Sequence, residues 1–545
     1  MNGPNIPLAG RDRNVWAVLC ILPACYFMVA WILRADGGSF WMWHIADPSY
    51  FYLFDSLNLV NLTTPGHPYH PGTTVQVLGA LVLKAAYLTS NGEEITSAVL
   101  ADPESHLRLI STVIIFLNAS ALLLSGAIAY AVTRHPVLAL VMQLGPFLSM
   151  VTLKTAYHVK PEPLLIFTML VLGMVTLLAL APGALEKHRW RFAVVFGLIA
   201  GFGVATKVTS APIFLLPVFL LGGFRYLAIY SLTTLLSLIF FTLPAIGAYD
   251  LFFAWMAKVS AGSGAYGGGE QTVIDFSRYP KSVIEIFGRP ILHLPFLLSL
   301  IALGVAWRRR RRGLSVPGAE SRATAGFCLA VLAQVLLVAK QPTAFYMIPA
   351  YMSGALGIVL LHRLVAGLGL GGEKLRWRSG RAFALLIGIL VIVQANSVLR
   401  LDRELEDKYR TALTVENARF GKCARIYFFP AASQSFALAL GDWWTGGRFA
   451  ASLAGKRPAN DFWFEQNTWE FRDWKGPKSL PDVLESFPCA FFRGGHPGPI
   501  STYIEETVPE LEYEVTCSTR DERIFTIGVD CQGRTEKTEG GRGNR

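Results

Sequence analysis

The chain has 545 residues, 52% of them hydrophobic and only 16% charged. Soluble globular proteins carry roughly a quarter charged residues, so an ordinary soluble enzyme is excluded. The formal net charge is +11, but the excess sits in short loops between apolar runs. That pattern follows the positive-inside rule of membrane proteins and argues against a nucleic-acid partner.

The first apolar run, 15–33, has no charged residue. It is too long and too aromatic for a secretory signal, and no small-residue cleavage site precedes Asp36. A helix needs roughly 20 apolar residues to cross a bilayer. On that basis spans are predicted near 15–34, 109–132, 136–153, 163–182, 192–206, 211–224, 226–249, 291–307, 325–339, 344–361 and 382–398, about eleven in all. Alternate loops carry the basic residues: Arg11 and Arg13, Arg134, Lys187 to Arg191, Arg225, Arg308 to Arg312, and Arg363 to Arg381. These loops are expected on the cytoplasmic side of a bacterial inner membrane, with the N-terminus.

The opposite side then holds the loop 35–108, the Gly-rich loop 250–290 and the tail 399–545. Within the first loop, 73–88 is apolar but interrupted by Lys84. It reads as an interfacial helix, not a span. The fold class expected is a polytopic α-helical membrane protein with interfacial helices in its first outer loop and a soluble C-terminal α/β domain. The division predicted is a transmembrane catalytic domain, 1–398, and a periplasmic domain, 399–545, with a disordered extreme C-terminus.

In the tail, 401–420 reads as an exposed helix and 424–431 as a strand. Trp443, Trp444, Trp463, Trp469 and Trp474 follow. Tryptophans can stack on sugars, although they more often build a core. Cys423, Cys489, Cys517 and Cys531 can form two disulfides in three connectivities, or stay as buried thiols. No cysteine or histidine spacing suggests zinc.

No Asp, Glu, Lys or Arg falls near the middle of a predicted span. Ion-coupled transporters usually place such groups there, and no inverted repeat is visible. A lipid or glycan transporter or flippase without covalent chemistry is therefore the second reading.

Charged residues instead cluster at the outer ends of the spans. Asp47 follows the first span. Lys154, His158, Lys160 and Glu162 lie in one turn, Lys207 in another, and Lys340 precedes Tyr346. Any one lysine at a helix end can simply snorkel. Several on the side opposite the basic loops point to an anionic head group such as a lipid phosphate. Asp47 before Pro48 can cap a helix, and it can also act as a general base toward a hydroxyl. Glu162 adds a second carboxylate, and His67 and His70 occupy the same first loop. Arg278 and Tyr279 end the Gly-rich segment 259–280, which reads as a mobile outer loop able to close over substrate.

The order of these segments resembles the GT-C superfamily of integral-membrane glycosyltransferases. More narrowly, it resembles the protein O-mannosyltransferase and aminoarabinose transferase group that uses polyprenyl-phosphate sugars. The resemblance covers about residues 10–360. It rests on Asp47 in the first outer loop, "HPGTTVQVLGAL" opening an interfacial helix, "KPEPLLIF", "TKVTS" and "KQPTAFYMIPAY". Two departures stand out. "DPSY" has one acid where the group has a pair, and Glu162 stands where an Asp is common.

The resemblance implies inverting sugar transfer on the periplasmic side to an envelope glycan, lipid or protein. Asp47 would be the catalytic base, with Glu162 and His70 as further acid or acceptor-side candidates. Lys160, Lys207, Arg278, Lys340 and Tyr346 would hold the donor phosphate. No cofactor is required, and the single acid of "DPSY" gives no support for a divalent metal. Membrane lipids and the polyprenyl-phosphate sugar are the expected partners.

Overall fold

The protein is described here from a computed structural model. It defines residues 13–42, 49–370, 373–414, 417–466, 468–511 and 522–530. The chain divides into two compact units. The first comprises 1–32, 68–82 and 110–400, and the second 33–67, 83–109 and 401–545.

The first unit is helical. Among the described residues of the whole chain, eight helical stretches are long and apolar enough to cross a membrane. They are Asn14–Asp36, Pro103–Thr133, Pro161–Ala179, Ala184–Thr206, Phe224–Ala261, Pro290–Arg311, Gly318–Ala339 and Ala344–Gly367. The chain is thus a multi-pass membrane protein.

Three of the eleven expected spans are not among the eight. The stretch 136–153 breaks into Pro136–Gln143, a 3-10 turn Gly145–Leu148 and Met150–Thr155. Pro146 lacks the N–H that a continuous helix needs there. The stretch 211–224 is shortened in a similar way by Pro212 and Pro217, giving a 3-10 segment Val208–Phe214 and a short helix Leu215–Leu221. The last, 382–398, lies inside a 42-residue helix, Glu373–Thr414. The interfacial candidate forms the 14-residue helix Thr73–Ala86. At 1.5 Å per residue it is about 21 Å long, short of the roughly 30 Å hydrocarbon core.

Small residues set the closest helix pair. A Cβ on Gly197 would run into Thr233, and one on Gly201 into Ser237. The four-residue spacing of these glycines lets Ala184–Thr206 and Phe224–Thr242 approach backbone to backbone. Ser237 Oγ then donates to the Leu198 carbonyl at 3.0 Å.

The second unit is built on a six-stranded sheet. Its strands are β1 (Ala424–Tyr427), β2 (Asp461–Glu465), β3 (Glu470–Asp473), β4 (Gly476–Pro477), β5 (Ala490–Gly494) and β6 (Arg523–Ile527). The order is β4-β3-β2-β1-β5-β6. β1 is parallel to both β2 and β5, and the outer pairs are antiparallel. The central strands are buried along their whole length, as expected where both faces are covered, and they bury Arg425, Asp461, Glu465 and Arg493 along with their apolar residues. Ile426, Phe462, Phe492, Ile500 and Phe525 are buried in one cluster.

Register explains the disulfide. Ala424 faces Ala490 across the β1–β5 ladder, so Cys423 and Cys489, one residue earlier, stand side by side and are bonded. Cys517 and Cys531 lie outside the described residues. A second cross-link is ionic. Arg493 reaches both oxygens of Glu522, at 2.9 and 2.7 Å, and donates to the Ala412 carbonyl at 2.9 Å.

Two pieces of the segment 35–108 belong to this same unit. The helix Tyr50–Val60 buries ten of its eleven residues. Gly66 sits so close to the Thr445 backbone that a Cβ would collide with it. Asn58 Nδ2 donates to the Thr445 carbonyl at 2.9 Å. Helix Gly92–Ala101 opens on a capping box, Asn91 with Glu94, which satisfies two N-terminal N–H groups.

Candidate functional site

Two helices of the first unit place the principal charged pair. Pro161–Ala179 and Ala184–Thr206 pack against each other and are joined by only four residues. So short a connection makes them antiparallel neighbours. The N-terminus of the first therefore lies beside the C-terminus of the second. Pro161 starts the first helix, a position where its missing N–H costs nothing. Glu162 follows in the first turn, and Lys207 caps the end of the second helix. Each charge suits the dipole of its own helix end.

Their side chains meet. Lys207 Nζ donates to Glu162 Oε1 in an ion pair with both side chains only 7% exposed. Lys160, also buried, adds a second positive charge to the field at Glu162. Two ammonium groups thus act on the one carboxylate. Lys207 Nζ also stands 4.8 Å from the centre of the Tyr346 ring and 5.3 Å from that of Phe345, within cation–π range.

The surroundings are fixed by hydrogen bonds that hold several segments together. Val208 N donates to the His70 carbonyl at 2.8 Å. Thr74 and Thr206 hydroxyls are bonded at 2.8 Å. Gln334, fully buried in Gly318–Ala339, donates through Nε2 to the carbonyls of Thr209 at 2.7 Å and Tyr346 at 2.9 Å. That amide ties the segment after Lys207 to the one carrying the aromatic rings. Gln334 has no place among the candidates drawn from the sequence. Its only signal was a lone amide within the apolar run 327–339.

The structure thus brings Glu162, Lys207, Lys160 and Tyr346 together, with the backbone of His70 beside them. Two other candidates are committed differently. Lys340 Nζ donates to the Ser260 carbonyl at 2.7 Å. Arg278 is exposed and stands 3.7 Å from Asp275. Asp47 lies outside the described residues. Among the described residues, no group of three or more His, Cys, Asp and Glu side chains is placed to hold a metal ion.

The second unit holds another buried carboxylate, Asp55. Its oxygens accept from Gly66 N at 2.8 Å, His67 N at 3.2 Å and Asn58 Nδ2 at 3.2 Å. Burial pushes its carboxyl up to about 7, against the pull of these hydrogen bonds and of the Arg448 charge. The His67 ring is buried against Phe51, Tyr52 and Trp444, with centroids 5.0 to 6.2 Å apart.

No protein-family model and no curated protein matches the chain. Among solved structures, that of ArnT from Cupriavidus metallidurans bound to undecaprenyl phosphate is similar. It matches over 94% of this chain and 98% of that one, at 12% identity and a TM-score of 0.43. A likeness that distant gives no residue a role.

Proposed function

We propose that the chain is an inverting glycosyltransferase that moves a sugar from a polyprenyl phosphate to an envelope glycan, lipid or protein. The observation that carries this reading is the buried Lys207–Glu162 pair with Lys160 beside it. Ionisable groups buried in a membrane protein are costly and are kept for function. A cluster that brings two ammonium groups to one end of a helix pair suits a phosphate ester. Charge-assisted hydrogen bonds from lysines are among the strongest available to it. The motif order around Asp47, "KPEP", "TKVTS" and "KQPTAFY" supports the same assignment.

In the proposed reaction an acceptor oxygen attacks the anomeric carbon from the face opposite the phosphate. The bond from that carbon to the phosphate oxygen breaks, and its electrons leave with the polyprenyl phosphate. Asp47 takes the acceptor proton as general base. Lys207 and Lys160 stabilise the charge that develops on the departing phosphate. Glu162 holds Lys207 in place, and the rings of Phe345 and Tyr346 confine its ammonium group.

The side of the membrane follows from charge. The Lys- and Arg-rich loops are assigned to the cytoplasm of a bacterium, and the C-terminal domain to the periplasm. A disulfide between Cys423 and Cys489 suits an oxidising compartment.

The test is mass spectrometry of envelope glycans from a deletion strain. A sugar substituent should be missing, and the wild-type gene should restore it. Asp47→Asn, inserted in the membrane at wild-type level, should not. Restoration by Asp47→Asn would remove that residue from the mechanism, and an unchanged glycan profile in the deletion strain would remove the function.

A further inference from the structure

The outward face of the helix Pro290–Arg311 carries a pattern that the chemistry above does not use. Leu294, Leu297, Ile301, Gly304, Arg308 and Arg311 follow at steps of three and four residues, so they share one stripe along the helix. All six are exposed. The opposite stripe is buried: Ser299, Ala302 and Ala306 face inward, and Arg309 donates on that side to the Leu368 carbonyl at 2.6 Å. In a chain that crosses a membrane, the exposed stripe meets lipid.

Two features of the stripe are not explained by packing within the protein. The first is Gly304. A glycine inside a helix is destabilising relative to alanine. No close neighbour requires it here, because a Cβ would meet no described atom within 4 Å. It leaves a notch between Ile301 and Arg308.

The second is the set of guanidinium groups. Arg308, Arg311 and Arg312 make no ion pair with any described carboxylate. Arg311 stacks instead on Trp307, its guanidinium carbon 4.2 Å from the ring centre, and Trp307 is itself 58% exposed. Exposed tryptophan marks the level at which hydrocarbon gives way to head groups. At 1.5 Å per residue, Gly304 lies about 6 Å along the axis from Arg308 and about 10 Å from Arg311. The notch is therefore on the hydrocarbon side of Trp307, and the guanidinium groups are at its level or beyond. A basic run at a helix C-terminus also suits the helix dipole and fixes topology. Neither role calls for the notch beneath it.

A diacyl phospholipid fits both features. One acyl chain lies along Leu297 and Ile301, the glycerol covers Gly304, and the phosphodiester sits among Arg308, Arg311 and Arg312. Guanidinium groups give paired hydrogen bonds to phosphate oxygens. With no described carboxylate paired to these arginines, a head group that carries its own ammonium is disfavoured, and one with a net negative charge is favoured.

We propose that this face, from Leu297 to Arg312, is a binding site for an anionic phospholipid such as phosphatidylglycerol. The proposal needs only that the helix spans a membrane, and it is independent of the transferase reading.

The test is titration of the full chain in micelles with phosphatidylglycerol and phosphatidylethanolamine of identical acyl chains, the bound lipid being counted by native mass spectrometry. Wild type should bind phosphatidylglycerol more tightly. Arg308→Gln/Arg311→Gln should lose about tenfold of that preference, with an unchanged melting curve. Gly304→Leu keeps every charge but fills the notch, and it should weaken phosphatidylglycerol severalfold. Lys187→Gln/Arg191→Gln, which removes two exposed charges from another helix, should keep the wild-type preference. Equal binding of the two lipids by wild type, an equal loss from both double variants, or an affinity untouched by Gly304→Leu would overturn the proposal.

Discussion

The two units each bury a carboxylate, and they neutralise it in different ways. Glu162 in the first is met by an ammonium group, with a second lysine close by. Asp55 in the second is met by two backbone N–H groups and one side-chain amide. These hydrogen bonds and the Arg448 charge only partly offset the loss of water, so burial wins and the Asp55 carboxyl rises to about 7. A cation partner such as Lys207 brings a full opposite charge in direct contact. The comparison separates a carboxylate held mainly by hydrogen bonds from one held by a direct ion pair.

The largest effect should come from splitting the ion pair. Lys207→Met leaves Glu162 buried without its ammonium partner and should cost about 3–5 kcal/mol. Adding Glu162→Gln should recover much of that loss, because the lone charge is then gone. Denaturant unfolding of both variants in micelles checks this. If the single and double variants unfold alike, the two residues are not coupled as the ion pair requires.

A smaller, pH-dependent effect is expected at Asp55. Its folded value of about 7 lies above the unfolded value near 3.9. Between these two the folded state holds a proton that the unfolded chain has released. Wild-type stability should therefore fall as pH rises from about 4 to about 7 and then level off. Asp55→Asn cannot titrate, so its stability relative to wild type should improve across that window. Melting curves at successive pH values would show this. A difference that stays flat from pH 4 to 8 would mean that Asp55 is not held protonated by burial.

Much of the architecture was legible because apolar length and charge alternation act locally. The helix pair carrying the site, the non-spanning helix at Thr73–Ala86 and the α/β character of the tail were all readable in this way. What apolarity does not register is a break. Pro146, Pro212 and Pro217 interrupt runs whose hydropathy alone suggests whole spans. Glu162 and Lys207 were visible as charges at the ends of apolar runs. Their direct contact, across 45 residues of sequence, follows only once the short connection makes the helices antiparallel. Gln334 and Asp55 were passed over because one is a lone amide in the apolar run 327–339 and the other the single charged residue of Tyr50–Val60, and the sequence does not show what each one bonds to. Lys340 and Arg278 have partners that the sequence did not suggest, the Ser260 carbonyl 80 residues away and Asp275. The grouping of 33–67 and 83–109 with the tail depends on packing between distant segments, which no window of sequence contains.

The central claim is that the Lys207 cluster receives a lipid phosphate. The direct measurement is the Kd of undecaprenyl phosphate, with uncharged undecaprenol as control, for the full chain in nanodiscs. The wild type and the charge-balanced Glu162→Gln/Lys207→Met variant are compared. Wild type should prefer the phosphate, and the variant should lose about tenfold or more of that preference, since one charge-assisted hydrogen bond is removed. An equal preference for phosphate in both proteins would contradict the account.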